Sequence, residues 1–65
     1  MKTQRQAMIM EIISNRNVET QEQLLALLQA EGFRGTQATI SRDIKELRIV
    51  KELTNMGTYR YSAPN

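Results

Sequence analysis

Thr36-Gln37-Ala38-Thr39-Ile40-Ser41-Arg42-Asp43-Ile44-Lys45-Glu46-Leu47 is the stretch on which the fold turns. Ile40, Ile44 and Leu47 recur at helical spacing and define one dry side, whereas Ala38, Ser41, Arg42 and Lys45 point the other way. The spacing predicts a helix over 37–47, opened by Thr36, whose hydroxyl can accept a hydrogen bond from an otherwise unpaired backbone N–H. Such a helix has one face to bury and one small, polar, basic face to present.

The Thr-Gln pair that opens this helix occurs twice more, at Thr3-Gln4 and Thr20-Gln21, each time ahead of apolar residues at helical spacing. Thr3 with Gln6 and Thr20 with Gln23 fit the reciprocal capping box, while Thr36, followed by Thr39, keeps only the simple cap. A first helix is expected over 4–15, with Met8, Ile9, Ile12 and Ile13 in one stripe. A second is expected over 21–30, with Leu24, Leu25, Leu27 and Leu28 supplying the core and Gly32 stopping it. Phe33 is expected to fold back onto the core, and Gly32 and Gly35 suit a short turn that sets the second and third helices at an angle.

Beyond Leu47 the period changes. Ile49 to Leu53 and Thr58 to Ser62 are β-branched or alternating, and Thr54-Asn55-Met56-Gly57 between them has turn chemistry, which predicts a hairpin turning at 55–57. Tyr59 and Tyr61 then share one face and Arg60 takes the other. Ala63-Pro64-Asn65 reads as the start of a linker.

Composition narrows the function classes. Sixty-five residues make one small domain, which buries only about 60% of the surface its unfolded chain exposes and has little room for a deep catalytic cavity. The absence of His and Cys excludes disulfides, thiolate nucleophiles, histidine bases and the usual zinc ligand sets. Met1 to Arg5 leads only into the short apolar group Met8-Ile9-Met10, which predicts neither signal peptide nor membrane helix and makes a cytoplasmic location the expectation. The net charge of +2 is small but uneven, about −1 over residues 1–32 and +3 over 33–65, where Arg34, Arg42, Lys45, Arg48, Lys51 and Arg60 lie. That bias alone is weak support for a nucleic-acid partner.

Three helices followed by a hairpin, with the last helix basic outside, is the order of a winged helix-turn-helix, an α+β fold whose chemistry is recognition rather than catalysis. The major groove of DNA admits one α-helix, and residues near that helix's N-terminus meet base edges while its flanks touch phosphates. Ala38 and Ser41 are small enough for close approach. Gln37 and Arg42 can each make two hydrogen bonds to a base, and Thr39 and Lys45 can reach sugar or phosphate.

The segment from Thr36 to Leu47, continued by Val50-Lys51 and by Thr54-Asn55-Met56-Gly57-Thr58-Tyr59-Arg60-Tyr61, resembles the DNA-binding domain of the bacterial arginine repressor family from end to end. Its most specific part is Thr-Gln-Ala-Thr-Ile-Ser-Arg-Asp at 36–43 together with the Asn-X-Gly turn at 55–57. The resemblance implies a regulator that binds palindromic operators of arginine genes, with major-groove contacts from Gln37, Thr39, Ser41 and Arg42. It also implies wing contacts from Asn55, Gly57 and Thr58 to the backbone or minor groove. L-arginine as corepressor, and assembly into trimers and hexamers, are implied only through a further C-terminal domain that this chain is expected to lack. No cofactor or metal is expected in residues 1–65, and the isolated domain is expected to be a monomer.

Asp43 and Glu46 would repel phosphate if they faced DNA, so the whole of the third helix is not expected in the groove, and Asp43, next to the dry side, is expected to form an intramolecular ion pair or a contact that orients the helix rather than a base contact. Ser41 and Lys45 have the spacing of a nucleophile and its base, but a helix surface offers no oxyanion hole, and an enzyme is not expected. Lys45 can equally pair with a carboxylate. Either tyrosine could stack on a base, although core packing is the simpler role for at least one. The alternative function is a winged-helix module whose third helix meets a protein rather than DNA.

Overall fold

The computed structural model describes residues 2–64, without the side chain of Lys2, and is an α+β winged helix. Helix α1 spans Lys2–Asn15, α2 Gln21–Ala30 and α3 Gln37–Leu47, followed by strands β1, Val50–Leu53, and β2, Tyr59–Ser62. The strands pair antiparallel with Val50 opposite Ser62, Lys51 opposite Tyr61, Glu52 opposite Arg60 and Leu53 opposite Tyr59. Ala63 and Pro64 lie outside regular structure, and Met1 and Asn65, at the ends of the signal-sequence and linker readings, fall outside the described residues.

The core follows the helical stripes. Ile9, Ile12 and Ile13 of α1 meet Leu24 and Leu28 of α2 and Ile40 and Ile44 of α3, with Val18, Ile49 and Tyr61 closing the cluster. Leu25, Leu27, Phe33 and Leu47 pack half-buried around it, so the leucines of α2 serve the core as expected. Tyr61 is buried, whereas Tyr59, on the same face of the hairpin but nearer the tip, is 57% exposed. The linker between α1 and α2 extends the hairpin by one bond, as the Tyr61 N–H donates to the Val18 carbonyl at 2.8 Å. Arg60, on the opposite face, donates to Asn17 Oδ1 at 3.4 Å.

Two of the three expected caps form. Thr20 accepts from the Gln23 N–H at 3.1 Å while Gln23 Oε1 accepts from the Thr20 N–H at 3.2 Å, which is the full capping box. Thr36 accepts from the Thr39 N–H at 3.4 Å, the simple cap. The expected box of Thr3 with Gln6 does not form: α1 begins at Lys2, so Thr3 is already helical, and the Gln6 side chain turns to α3, its nitrogen donating to Asp43 and Glu46. A capping residue must sit outside the helix in extended conformation, and a helix that starts earlier removes that geometry.

Helix α2 ends through Gly32, whose φ of +91° is the left-handed conformation that glycine adopts without strain. Helix α3 ends the same way without a glycine. Arg48 has φ +58°, and the Ile49 N–H reaches back to the Ile44 carbonyl at 3.1 Å. A side chain in that conformation costs about 1 kcal/mol. Arg48→Gly is therefore expected to raise the unfolding free energy by up to about 1 kcal/mol, offset in part by the greater freedom of glycine in the unfolded chain. Urea denaturation measures it, and a loss of stability would show that the Arg48 side chain contributes packing that outweighs the relieved strain.

Candidate nucleic-acid interface

Helix α3 is held by its dry side, with Ile40 fully buried and Ile44 9% exposed. Its outer surface follows from the 100° step per residue, which puts Ser41, Lys45, Ala38 and Arg42 on one contiguous arc opposite those isoleucines. Gln37, Ala38, Arg42 and Lys45 are exposed, and Ser41 is half-buried. Thr39 lies on the flank rather than the outer arc, half-buried, with its hydroxyl 3.3 Å from that of Thr36. The structure thus brings Ser41, Arg42 and Lys45 together on the outer arc and sets Gln37 and Thr39 on its two flanks, Gln37 exposed near the Ile44 side and Thr39 beside Arg42.

The hairpin residues Asn55, Gly57 and Thr58 sit at the exposed tip. The Gly57 N–H donates to the Thr54 carbonyl at 3.1 Å and the Thr54 N–H to the Thr58 carbonyl at 2.7 Å, so 55–57 form a three-residue loop with Gly57 at φ +84°. Thr54 Oγ1 accepts from the Met56 and Thr58 N–H groups at 3.2 and 3.4 Å. These bonds occupy polar groups at the base of the loop, while Asn55 is exposed at its tip beside Met56, which is 87% exposed. A shallow cleft lined by Asn17, Glu19, Thr54, Asn55, Met56, Thr58 and Arg60 separates the tip from the α1–α2 linker.

The carboxylates of α3 lie off the outer arc, on the flank that meets α1. Asp43 is 2% exposed and takes a two-pronged contact from Arg5 of α1: Nη2 donates to Oδ1 at 3.0 Å, and Nε donates to Oδ2. The Gln6 amide nitrogen donates to Asp43 Oδ1 at 3.1 Å and to Glu46 Oε1 at 2.8 Å. The hydrogen bond to Asp43 shifts the Arg5 guanidinium further toward its charged form, an effect that burial opposes and the charges of Asp43 and Glu46 reinforce. A raised arginine keeps its contribution throughout the acid and neutral range and loses it only as pH climbs through the raised value, so this side of the pair does not titrate near neutrality.

The expected ion pair of Asp43 is therefore present, with a partner that the sequence reading does not name. One signal for it is legible: Arg5 lies four residues before Ile9 and so continues the buried stripe of α1 by one turn. Gln6 carries no comparable signal, because the local capping pattern of Thr3 points it elsewhere. Among the described residues no group of His, Cys, Asp or Glu is placed to hold a metal ion, and no helix is long and apolar enough to cross a membrane.

A family model described as Arginine repressor, DNA binding domain, matches residues 1–65. Three relatives that carry the name Arginine repressor are similar over nearly the whole chain. One from Bacillus pumilus (strain SAFR-032) is 56% identical over 63 residues, covering 97% of this chain and 42% of its own length. One from Caldicellulosiruptor bescii is 56% identical over 62 residues, covering 95% and 41%. One from Bacillus subtilis (strain 168) is 52% identical over 63 residues, covering 97% and 42%. The chain thus spans about two fifths of the length of the curated relatives it matches.

Proposed function

The chain belongs to the family of arginine repressor DNA-binding domains, and from that premise we propose that it reads palindromic operators of arginine-metabolism genes as the DNA-binding module of a transcription regulator. The observation that carries the reading is the outer arc of α3, where Ser41, Arg42 and Lys45 stand together opposite the buried Ile40 and Ile44, with Gln37 exposed in the first turn of the helix. Gln37, Ser41 and Arg42 meet base edges in the major groove. Lys45, within that arc, and Thr39, on its flank, anchor to phosphate or sugar. Asn55, Gly57 and Thr58 lie along the adjacent backbone or minor groove.

In this reading residues 1–65 are one DNA-binding domain that works without metal or cofactor, in the cytoplasm, and has no catalytic role. Response to L-arginine and assembly into trimers or hexamers belong to other parts of a full-length repressor. A single module buries a small interface and binds weakly, and two modules on one palindrome gain affinity through effective concentration.

The test is fluorescence anisotropy of the chain with a palindromic AT-rich duplex and a scrambled duplex of equal composition, at several salt concentrations, for the single domain and for two domains joined by a flexible linker. Preferential binding of the palindrome, weakening steeply with salt, is the expected result. Equal or absent binding by both the single and the linked domains would instead favour a surface that meets a protein.

A further inference from the structure

We propose that Arg5 and Gln6, on the first helix, are positioning residues for DNA recognition: by gripping Asp43 and Glu46 they set the roll of α3 and keep its carboxylates away from phosphate. This rests on the reading of α3 as the recognition helix. Three observations carry it.

The grip is specific in geometry. Arg5 offers two donors of its planar fork to the two oxygens of one carboxylate, and Gln6 spans from that carboxylate to the next, one turn along. Isoleucine packing allows a helix to rotate slightly about its axis, whereas a two-pronged guanidinium contact does not, because both bonds lengthen when the carboxylate turns. The contact also lies beside the proposed reading residues. Arg5, Thr39, Arg42, Asp43 and Glu46 line one small cleft, so a change in the roll of α3 moves Arg42 directly.

The electrostatic consequence points the same way. Asp43 and Glu46 lie on the flank of α3 between its dry side and the outer arc, and a roll of the helix that carried these two carboxylates outward would oppose the approach of phosphate. Burying Asp43 against a guanidinium, and holding Glu46 toward α1 through the Gln6 amide, turns that negative charge away from the outer arc. No DNA contact by Arg5 itself is required, and its side chain, 18% exposed, is committed to Asp43.

The experiment uses the same two duplexes and salt series with Arg5→Met, Arg5→Lys and Gln6→Leu, each checked for helical content at the binding temperature. Loss of folded protein lowers apparent affinity for both duplexes alike and leaves their ratio unchanged, so the ratio isolates positioning from stability. We expect Arg5→Met and Gln6→Leu to reduce the palindrome-to-scrambled affinity ratio about threefold to tenfold, the size of effects transmitted through a contact network. The salt dependence should stay that of the parent, and Arg5→Lys, which keeps the charge but not the fork, should recover part of the loss. A salt slope reduced by about one, with both duplexes weakened equally, would identify Arg5 as a phosphate contact and overturn the inference. An unchanged ratio in folded Gln6→Leu and Arg5→Met would overturn it too. A parent chain that shows no preference between the duplexes would overturn the reading of α3 first, and this inference with it.

Discussion

Asp43→Ala is expected to lower the unfolding free energy by about 2–4 kcal/mol, the larger of the two leading effects. Removing one member of a buried pair costs about 3–5 kcal/mol when the other charge is left in the interior. Here Asp43 is 2% exposed, but the Arg5 side chain retains 18% exposure and can recover part of its hydration, which places the loss below the upper end of that range. The Gln6 amide also loses an acceptor, although it keeps Glu46. A domain of this length has a total stability of roughly 3–10 kcal/mol, so the variant should sit close to its unfolding threshold. In thermal melts followed by circular dichroism the midpoint should fall by roughly 10–25 °C. Asp43→Asn, which preserves an acceptor for Gln6 but not the charge, should fall between parent and Asp43→Ala. The combination with Arg5→Met should cost much less than the two changes summed, because each alone strands a polar group that the pair removes. Additive losses would mean that the contact carries no coupling and that the burial of Asp43 has another cause.

Arg42→Ala is expected to weaken binding to a cognate duplex by about 1–3 kcal/mol, and to relax the preference for one base pair, while leaving stability nearly unchanged. Arg42 is exposed on the arc opposite the core, so truncation removes no packing. Its planar fork matches the two acceptors on the major-groove edge of guanine, and alanine leaves those acceptors to water. Lys45→Ala provides the contrast. As an anchor to phosphate it should weaken cognate and scrambled duplexes alike and lower the slope of log affinity against log salt by about one. If Arg42→Ala instead behaved as Lys45→Ala is expected to, Arg42 would be a backbone contact and base reading would shift to Gln37 and Ser41. Unaltered DNA affinity in Arg42→Ala would remove α3 from the interface.

The elements were legible because each is written in local periodicity. The isoleucine stripe of α1, the leucines of α2 and the Ile40–Ile44 spacing of α3 each mark a buried face, and Asn55-Met56-Gly57 places the loop through the left-handed conformation that Gly57 adopts. The outer arc of α3 followed from the same arithmetic, since fixing the dry side of a helix fixes its wet side as well. Ile49 marks the limit of such patterns. It reads as the first residue of a strand but is 8% exposed and bonded back to α3, because the reversal at Arg48 uses its N–H to close the helix end.

What the sequence by itself determined is therefore the order of elements, the faces they bury and the polar arc that α3 presents. Tertiary structure alone decided how the charges on α3 are disposed. Arg5 and Asp43 are 38 residues apart, Gln6 and Glu46 40, and no local pattern ties a side chain to an acceptor on a distant helix. Local chemistry assigned Gln6 to a cap on Thr3, whereas packing α1 against α3 placed two carboxylates within its reach, and the charged acceptors held the amide there. Periodicity specifies which side of a helix is buried, but only the packed neighbour specifies what a polar group at the edge of that side must bond.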